Sequence, residues 1–180
     1  MTGMERECLP YPCGFCVISG DMHGISAIME TFDETDRRIL SVLQREADIA
    51  LEELGARVGL SRNACWRRVR ALETRGVITG RVALLDPAKL GFGLMVFIQV
   101  HAARHDADWL EKFGRAVLEM PEILGVYRMT GDLDYLIRAR VADVADYDRL
   151  YQRLIRKVEL NDVSASFVME ELKDTLALPL

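Results

Sequence analysis

Apolar residues recur at helical spacing three times in the first half of the chain. Within DETDRRILSVLQR, Ile39, Leu40 and Leu43 form one stripe; Asp33 is a capping residue, and Asp36 complements the same helix N-terminus. Leu51, Leu54 and Val58 make a second stripe, after which Gly59 permits a sharp turn and Ser61 caps a third helix whose buried positions read Cys65, Val69 and Leu72. Two short helices joined by a tight glycine turn predict a helix-turn-helix, with the helix over 33–45 as the third wall of a small unit. Gly76 then stops the third helix, and a short apolar run ending at the Asp86-Pro87 turn predicts a strand-bearing linker.

From Phe92 the period changes. LMVFIQV (94–100) reads as a buried strand, and the segment 106–120 as a helix with Leu110, Phe113 and Val117 inward, stopped by Pro121. ILGVYRM (123–129) and DYLIRARV (134–141) are strands around a hairpin-like loop, 143–157 is a helix with Val144, Tyr147, Leu150, Tyr151 and Leu154 on one face, and 163–171 is a last strand. The order β-α-β-β-α-β predicts a ferredoxin-like sandwich, so the fold class is α+β: an N-terminal helix-turn-helix (winged-helix-like) domain and a C-terminal sheet with two helices on one side. The expected boundaries are a tail at 1–32, the helix-turn-helix at 33–80, the linker at 81–92 and the sandwich at 93–180. A sheet covered on one face leaves the other bare, with Met95, Phe97, Ile137 and Phe167, or their alternates, exposed. The cheapest cover is the same face of a second copy, which predicts a homodimer.

Charge then singles out the third helix. Between Ser61 and Arg81 there are six arginines (62, 67, 68, 70, 75 and 81) against one acid, Glu73. Asn63, Arg67, Arg70 and Thr74 follow each other at i, i+4, i+7 and i+11, opposite the core stripe, as a face suited to DNA. The formal net charge of −5 does not contradict a polyanionic partner. It divides into −3 over 1–32, +2 over 33–91 and −4 over 92–180, so an acidic second domain masks a basic first one. A solvated arginine-rich face would ordinarily intersperse acids, and this one does not. No stretch approaches the roughly 18 apolar residues of a membrane span, and the opening residues lack the pattern of a signal peptide. A cytoplasmic protein that does not enter membranes is expected, with its cysteines reduced. Cys8, Cys13, Cys16 and His23 offer thiolate and imidazole donors for zinc, but one Cys-x2-Cys pair without a second is a permissive pattern; a tail without a metal or cofactor is the favoured reading. A thiol- or metal-responsive sensor using these cysteines is the alternative. An enzyme is not expected, because no nucleophile motif, phosphate loop or HExxH pattern occurs and the three histidines do not cluster.

The motifs FDETDRRIL, VGLSRNACWRRVRALETRGVI, VALLDPAKLGFGL, TGDLDYLIR and SFVMEELKDTLALPL stand in this order from about Asp33 to the last residue. In order and spacing they resemble the Lrp/AsnC (feast/famine) family of transcriptional regulators, and the wording of WRRVRALE, PEILGVYRMTGDLDYL and TLALPL is most similar to its cysteine-responsive branch. Double-stranded DNA is the expected partner on the helix's own charge and spacing as well as on the resemblance, contacted by Ser61, Arg62, Asn63, Trp66, Arg67, Arg68, Arg70, Thr74 and Arg75, with Arg68 and Arg75, at the sides of the reading face, on phosphates. The resemblance implies a free amino acid as effector, L-cysteine by the branch resemblance, and homodimers assembling into tetramers or octamers. The effector positions fall on Arg128, Thr130, Gly131, Asp132 and Asp134, and on Ser166, Phe167 and Val168. That chemistry is reasonable, since Asp134 can accept from an ammonium while Arg128 or backbone N–H groups near Gly131 donate to a carboxylate. Two departures from the family pattern predict a soft second helix: Gly55 in place of Ala, costing up to about 1 kcal/mol, and Ala50 where a capping hydroxyl is usual, costing about as much again.

Overall fold

The computed structural model describes residues 32–180, so Cys8, Cys13, Cys16 and His23 lie outside the described residues. The chain divides into two compact units. The first runs to Ala83 and takes in Thr175–Leu180; the second is Leu84–Asp174.

The first unit holds α1 (Glu34–Leu43), α2 (Leu51–Val58) and α3 (Arg62–Thr74). Each start follows from the local sequence. The Asp33 carboxylate accepts from the Asp36 N–H at 2.7 Å, and the Ser61 hydroxyl accepts from the Ala64 N–H at 3.3 Å. Ala50 provides no side-chain cap to α2. Gly59 takes φ +74°, the left-handed conformation that ends α2 and frees the chain to turn into α3. Ile39, Leu54, Val58, Cys65, Val69 and Leu72 close the core, with Phe32, Leu40, Leu43 and Leu51 packed around them. Gly55 is buried, and a Cβ there would lie 2.7 Å from the Leu60 carbonyl oxygen. Glycine at 55 is therefore what lets the turn lie against α2, and the reading of Gly55 as a helix defect is corrected by the close approach. The last residues of the chain join this unit through Gln44, whose side-chain amide donates to the Leu178 carbonyl at 3.0 Å and accepts from the Leu178 N–H at 2.8 Å. The sequence pattern assigned those residues to the second domain.

The second unit holds β1 (Leu94–Ala102), α4 (Ala107–Leu118), β2 (Ile123–Arg128), β3 (Tyr135–Val141), α5 (Val144–Lys157) and β4 (Leu160–Phe167). All neighbours in the sheet, ordered β2-β3-β1-β4, are antiparallel. This is the ferredoxin-like topology expected from the pattern. Val96, Ile98 and Val100 of β1 and Ile137 and Ala139 of β3 are buried in one core with Trp109, Phe113, Leu150 and Leu154 from the helices. Asp106 caps α4 by accepting from the Trp109 N–H at 2.8 Å, which sets the helix phase. Trp109, Phe113, Ala116 and Val117 then point inward and Leu110, expected inside, is exposed. Val144, at the first turn of α5, is likewise exposed.

Three further expectations change. Residues 79–93 contain no strand, and Val82–Leu85 find no ladder partner among the described residues, although the Asp86-Pro87 turn forms, with the Phe92 N–H donating to the Pro87 carbonyl at 2.8 Å. The last strand begins at Leu160 and ends at Phe167, so Val168–Glu171 lie beyond it; the Val168 N–H still donates to the Met95 carbonyl at 3.0 Å. Ile137 and Phe167 face the helices, as shown by the pairing of Phe167 with Val96 and its edge-on contact with Tyr147. The open face carries Met95, Phe97 and Gln99 beside Leu136, Arg138 and Arg140 on β3 and Ser164 and Ser166 on β4. It is more polar than expected. Met95 is nonetheless buried, and the segment after β4 is tied to this face by Arg140, which donates to Glu171 at 2.6 Å.

Candidate DNA-reading helix and effector site

The α3 helix turns the arginine-rich sequence into side chains with distinct tasks. At about 100° per residue, Asn63, Arg67, Arg70 and Thr74 share a face centred opposite Cys65 and Leu72, with Arg68 and Arg75 on one flank and Arg62, Trp66 and Glu73 on the other. Asn63, Arg62 and Arg67 are exposed, and Trp66 is 49% exposed although it is the largest side chain on the helix. Among the described residues neither Arg62 nor Arg67 takes part in an ion pair. These side chains project from the first two turns of a helix whose N-terminus is capped by Ser61. Such an end enters a major groove with donors free for base edges.

The opposite flank is committed elsewhere. Arg68 donates to Asp33 at 2.6 Å and to Asp36 at 2.8 Å, bolting α3 to the start of α1. The hydrogen bonds that it donates to Asp36 and Asp33 raise the guanidinium pKa; Asp33 in turn is held below the usual carboxylate range, first by the Asp36 N–H and then by Arg68. Arg75 lies over the Phe32 ring at 5.2 Å. Arg68, expected on a phosphate, thus spends its Nη1 on two carboxylates within the unit. Thr74, expected on the reading face, donates its hydroxyl to the Arg70 carbonyl at 2.8 Å. Glu73, the single acid of the segment, accepts from Arg70 at 3.0 Å and from Arg81 at 2.8 Å. The Arg81 hydrogen bond is the main reason its pKa is lowered, with Arg70 adding to it against the effect of burial. The sequence signalled the Arg70 pairing by its i,i+3 spacing; Arg81 approaches only because the chain folds back after Gly76.

Cys65 is fully buried, and burial pushes its thiol pKa up, which is the environment of a core residue and not of a reactive thiolate. Among the described residues no group of His, Cys, Asp and Glu is placed to hold a metal ion, and no helix is long and apolar enough to cross a membrane.

The effector positions fall in two groups. Arg128 ends β2 opposite Tyr135, and the exposed Thr130 and Asp132 flank Gly131, which takes φ +108°. Asp134 is half-buried: its Oδ2 accepts from the Ala102 N–H at 2.9 Å, its backbone N–H donates to the Val100 carbonyl at 3.2 Å, and its Oδ1 lies 3.9 Å from His105 Nε2. One carboxylate oxygen thus fixes the end of β1, leaving the other towards solvent. Ser166 and Phe167 lie opposite Phe97 and Val96, near the start of β1, while Tyr135 beside the loop lies opposite Val100. With about 3.3 Å per residue along a strand and about 4.8 Å between strands, Arg128 and Ser166 are separated by roughly 17 Å. One protomer does not bring the two groups around a single amino acid.

Comparison with known proteins identifies both domains. Residues 32–73 match the AsnC-type helix-turn-helix domain, and residues 95–178 match the Lrp/AsnC ligand binding domain. The glutamate uptake regulatory protein of Zymomonas mobilis is 49% identical over 153 residues, covering 85% of this chain and 93% of its own. Among solved structures, an AsnC family transcriptional regulator from Agrobacterium tumefaciens is 47% identical with a TM-score of 0.80, covering 82% of this chain and 97% of its own. A transcriptional regulator from Neisseria meningitidis, solved in complex with L-methionine, is 37% identical with a TM-score of 0.80 and covers 83% and 97%. The chain belongs to the Lrp/AsnC family of DNA-binding transcriptional regulators.

Proposed function

We propose that this chain regulates genes of amino-acid metabolism by reading operator DNA with Asn63, Trp66, Arg67 and Arg70, and that a free amino acid bound by the second domain changes that binding. The observation that carries the DNA part is Arg67, exposed and without an ion pair among the described residues, beside Asn63 and Trp66 on a capped helix whose Arg68 and Arg70 are engaged. The effector part is supported by the relative solved with L-methionine and by the connection between β2 and β3, which carries Arg128, Gly131 and Asp134 on one hairpin. L-cysteine is the first effector to try, on the wording of the motifs.

The working form is a dimer through the open sheet face, with larger assemblies built from it. Support comes from Phe97 and Leu136 on that face and from Arg138, whose Nε is buried without a hydrogen-bond partner among the described residues. A second copy would also give Val82–Leu85 the ladder partner that they lack among the described residues of their own chain, so the linker strand belongs to the dimer.

Electrophoretic shifts with the region upstream of the neighbouring operon, with L-cysteine, L-leucine, L-lysine, L-asparagine and L-methionine added in turn, test the whole proposal. Wild type should shift the DNA and respond to at least one amino acid, and Arg67→Ala should lose specific binding while remaining folded. Wild-type affinity in Arg67→Ala would refute the assigned reading face.

A further inference from the structure

We propose that Glu73 is a specificity-determining residue: by holding Arg70 and Arg81 it keeps sequence-independent DNA affinity low while fixing Arg70 for the correct operator. The inference rests on the DNA-reading role proposed above and names a regulator of that same surface. Glu73 divides its two carboxylate oxygens, Oε2 accepting from Arg70 and Oε1 from Arg81, at 3.0 and 2.8 Å. Its side chain is 22% exposed while Arg70 and Arg81 are 63% and 42% exposed, so the acid sits beneath two guanidiniums that reach outward.

Local structure explains how Arg81 arrives there. After α3 ends at Thr74, Gly76 takes φ +70° and the Val77 and Ile78 N–H groups both donate to the Leu72 carbonyl, folding the following residues back along the helix. Arg81 is thereby brought onto the flank that also carries Arg62 and Trp66. Each guanidinium spends one Nη on Glu73 and keeps further N–H donors for DNA. Glu73 thus has two separable effects. Its charge cancels one of two cations where the phosphates approach, and its hydrogen bond restricts Arg70, which lies on the reading face.

Sequence-independent affinity depends on the first effect, because each phosphate neutralised adds about 0.9 to the slope of log affinity against log salt. One cation released from Glu73 should therefore strengthen binding to random duplex by roughly fivefold at 0.15 M salt. Operator binding gains the same charge but loses an ordered Arg70, so the two contributions offset and the preference for operator falls.

The test compares wild type, Glu73→Gln and Glu73→Asp on a duplex selected by the wild-type protein from a randomised pool and on a scrambled duplex of equal length, across a salt series. Glu73→Gln should bind scrambled DNA about fivefold more tightly, with a salt slope steeper by about one, while staying within about twofold of wild type on the selected duplex. Glu73→Asp keeps the charge and shortens the reach, so scrambled binding should stay at the wild-type level and selected binding should weaken. Unchanged scrambled affinity in Glu73→Gln, an equal gain on both duplexes, or the same gain in Glu73→Asp would each overturn the proposal. A wild-type protein with no preference between the duplexes would overturn the DNA-reading proposal and this one with it. Thermal melting of both variants near wild type confirms that the comparison is between folded proteins.

Discussion

Gly55 is buried in α2, and an added β-carbon would stand 2.7 Å from the Leu60 carbonyl, a backbone atom that cannot swing away as a side chain would. Ala ordinarily stabilises a helix interior by up to about 1 kcal/mol over Gly, yet here the turn between α2 and α3 must move to admit a methyl group. Gly55→Ala should destabilise the first unit by about 1–3 kcal/mol, measured as a lower denaturant midpoint at unchanged slope. A rise in the midpoint would show that the turn relaxes freely. Arg67 and Arg68 are neighbours with opposite expected phenotypes. Arg67→Ala should abolish specific DNA binding at an unchanged melting temperature. Arg68→Ala should instead lower the melting temperature and leave the salt slope of DNA binding unaltered, because its guanidinium is engaged by Asp33 and Asp36. A flatter salt slope in Arg68→Ala would return it to the phosphate contacts that the sequence pattern assigned to it.

At the scale of the element, the tie between α1 and α3 carries a pH dependence. Asp33 is held below its ordinary value of 3.8, by the Asp36 N–H and by Arg68, and Glu73 below its ordinary 4.5, first by Arg81. A depressed carboxylate pKa contributes stability that is present above the unfolded value and lost as pH falls through the folded one. The melting temperature of the first unit should therefore hold steady from neutral pH and decline as pH drops below these ordinary values, and Arg68→Ala should flatten that decline. An acid limb identical in wild type and Arg68→Ala would show that the Arg68 pairs do not contribute. The elements themselves were largely legible in the sequence, because Asp33, Ser61, Asp106 and Asp143 are caps whose side chains mark helix starts and because the strands alternate. Helix phase was less legible: Leu110 and Trp109 are adjacent and both apolar, and only the cap geometry decides that Trp109, with its indole N–H donating to the Glu159 carbonyl at 2.6 Å, turns inward. Spacing and charge alone carry the expectation of a reading face on α3. The ion pairs of Arg68 with Asp33 and Asp36, and that of Arg81 with Glu73, were not legible, since they join residues whose approach depends on how the chain packs.

At the scale of the whole molecule the question is how residues roughly 17 Å apart in one protomer could serve one effector. Arg128 and the loop to Asp134 lie by β2 and β3 at one end of the sheet, and Ser166–Val168 lie by β4 towards the other. A strand register cannot slide to bring them together without turning Ile137 and Val96, both fully buried, out of the core. A site that uses both groups must therefore take the loop from one copy and the strand from another, and effector binding would then favour whichever assembly creates that junction. Mixed oligomers test this directly. Arg128→Ala disables the loop while sparing Asp134, whose bond to the Ala102 N–H makes its replacement a structural lesion as well. Ser166→Trp blocks the strand side at the β4 edge of the open face, and light scattering must first show that this variant still dimerises. Each variant alone should bind DNA and ignore the effector. Mixed in equal amounts and allowed to exchange, about a quarter of the junctions should pair an intact loop with an intact strand, and the DNA complex should regain a partial response. No response in the mixture, with exchange verified by mass, would mean that the two groups do not share a site. A full response in Ser166→Trp alone would confine the effector to the loop, and loss of the response in Asp134→Asn, which keeps an acceptor for Ala102, would then mark the ammonium contact within it.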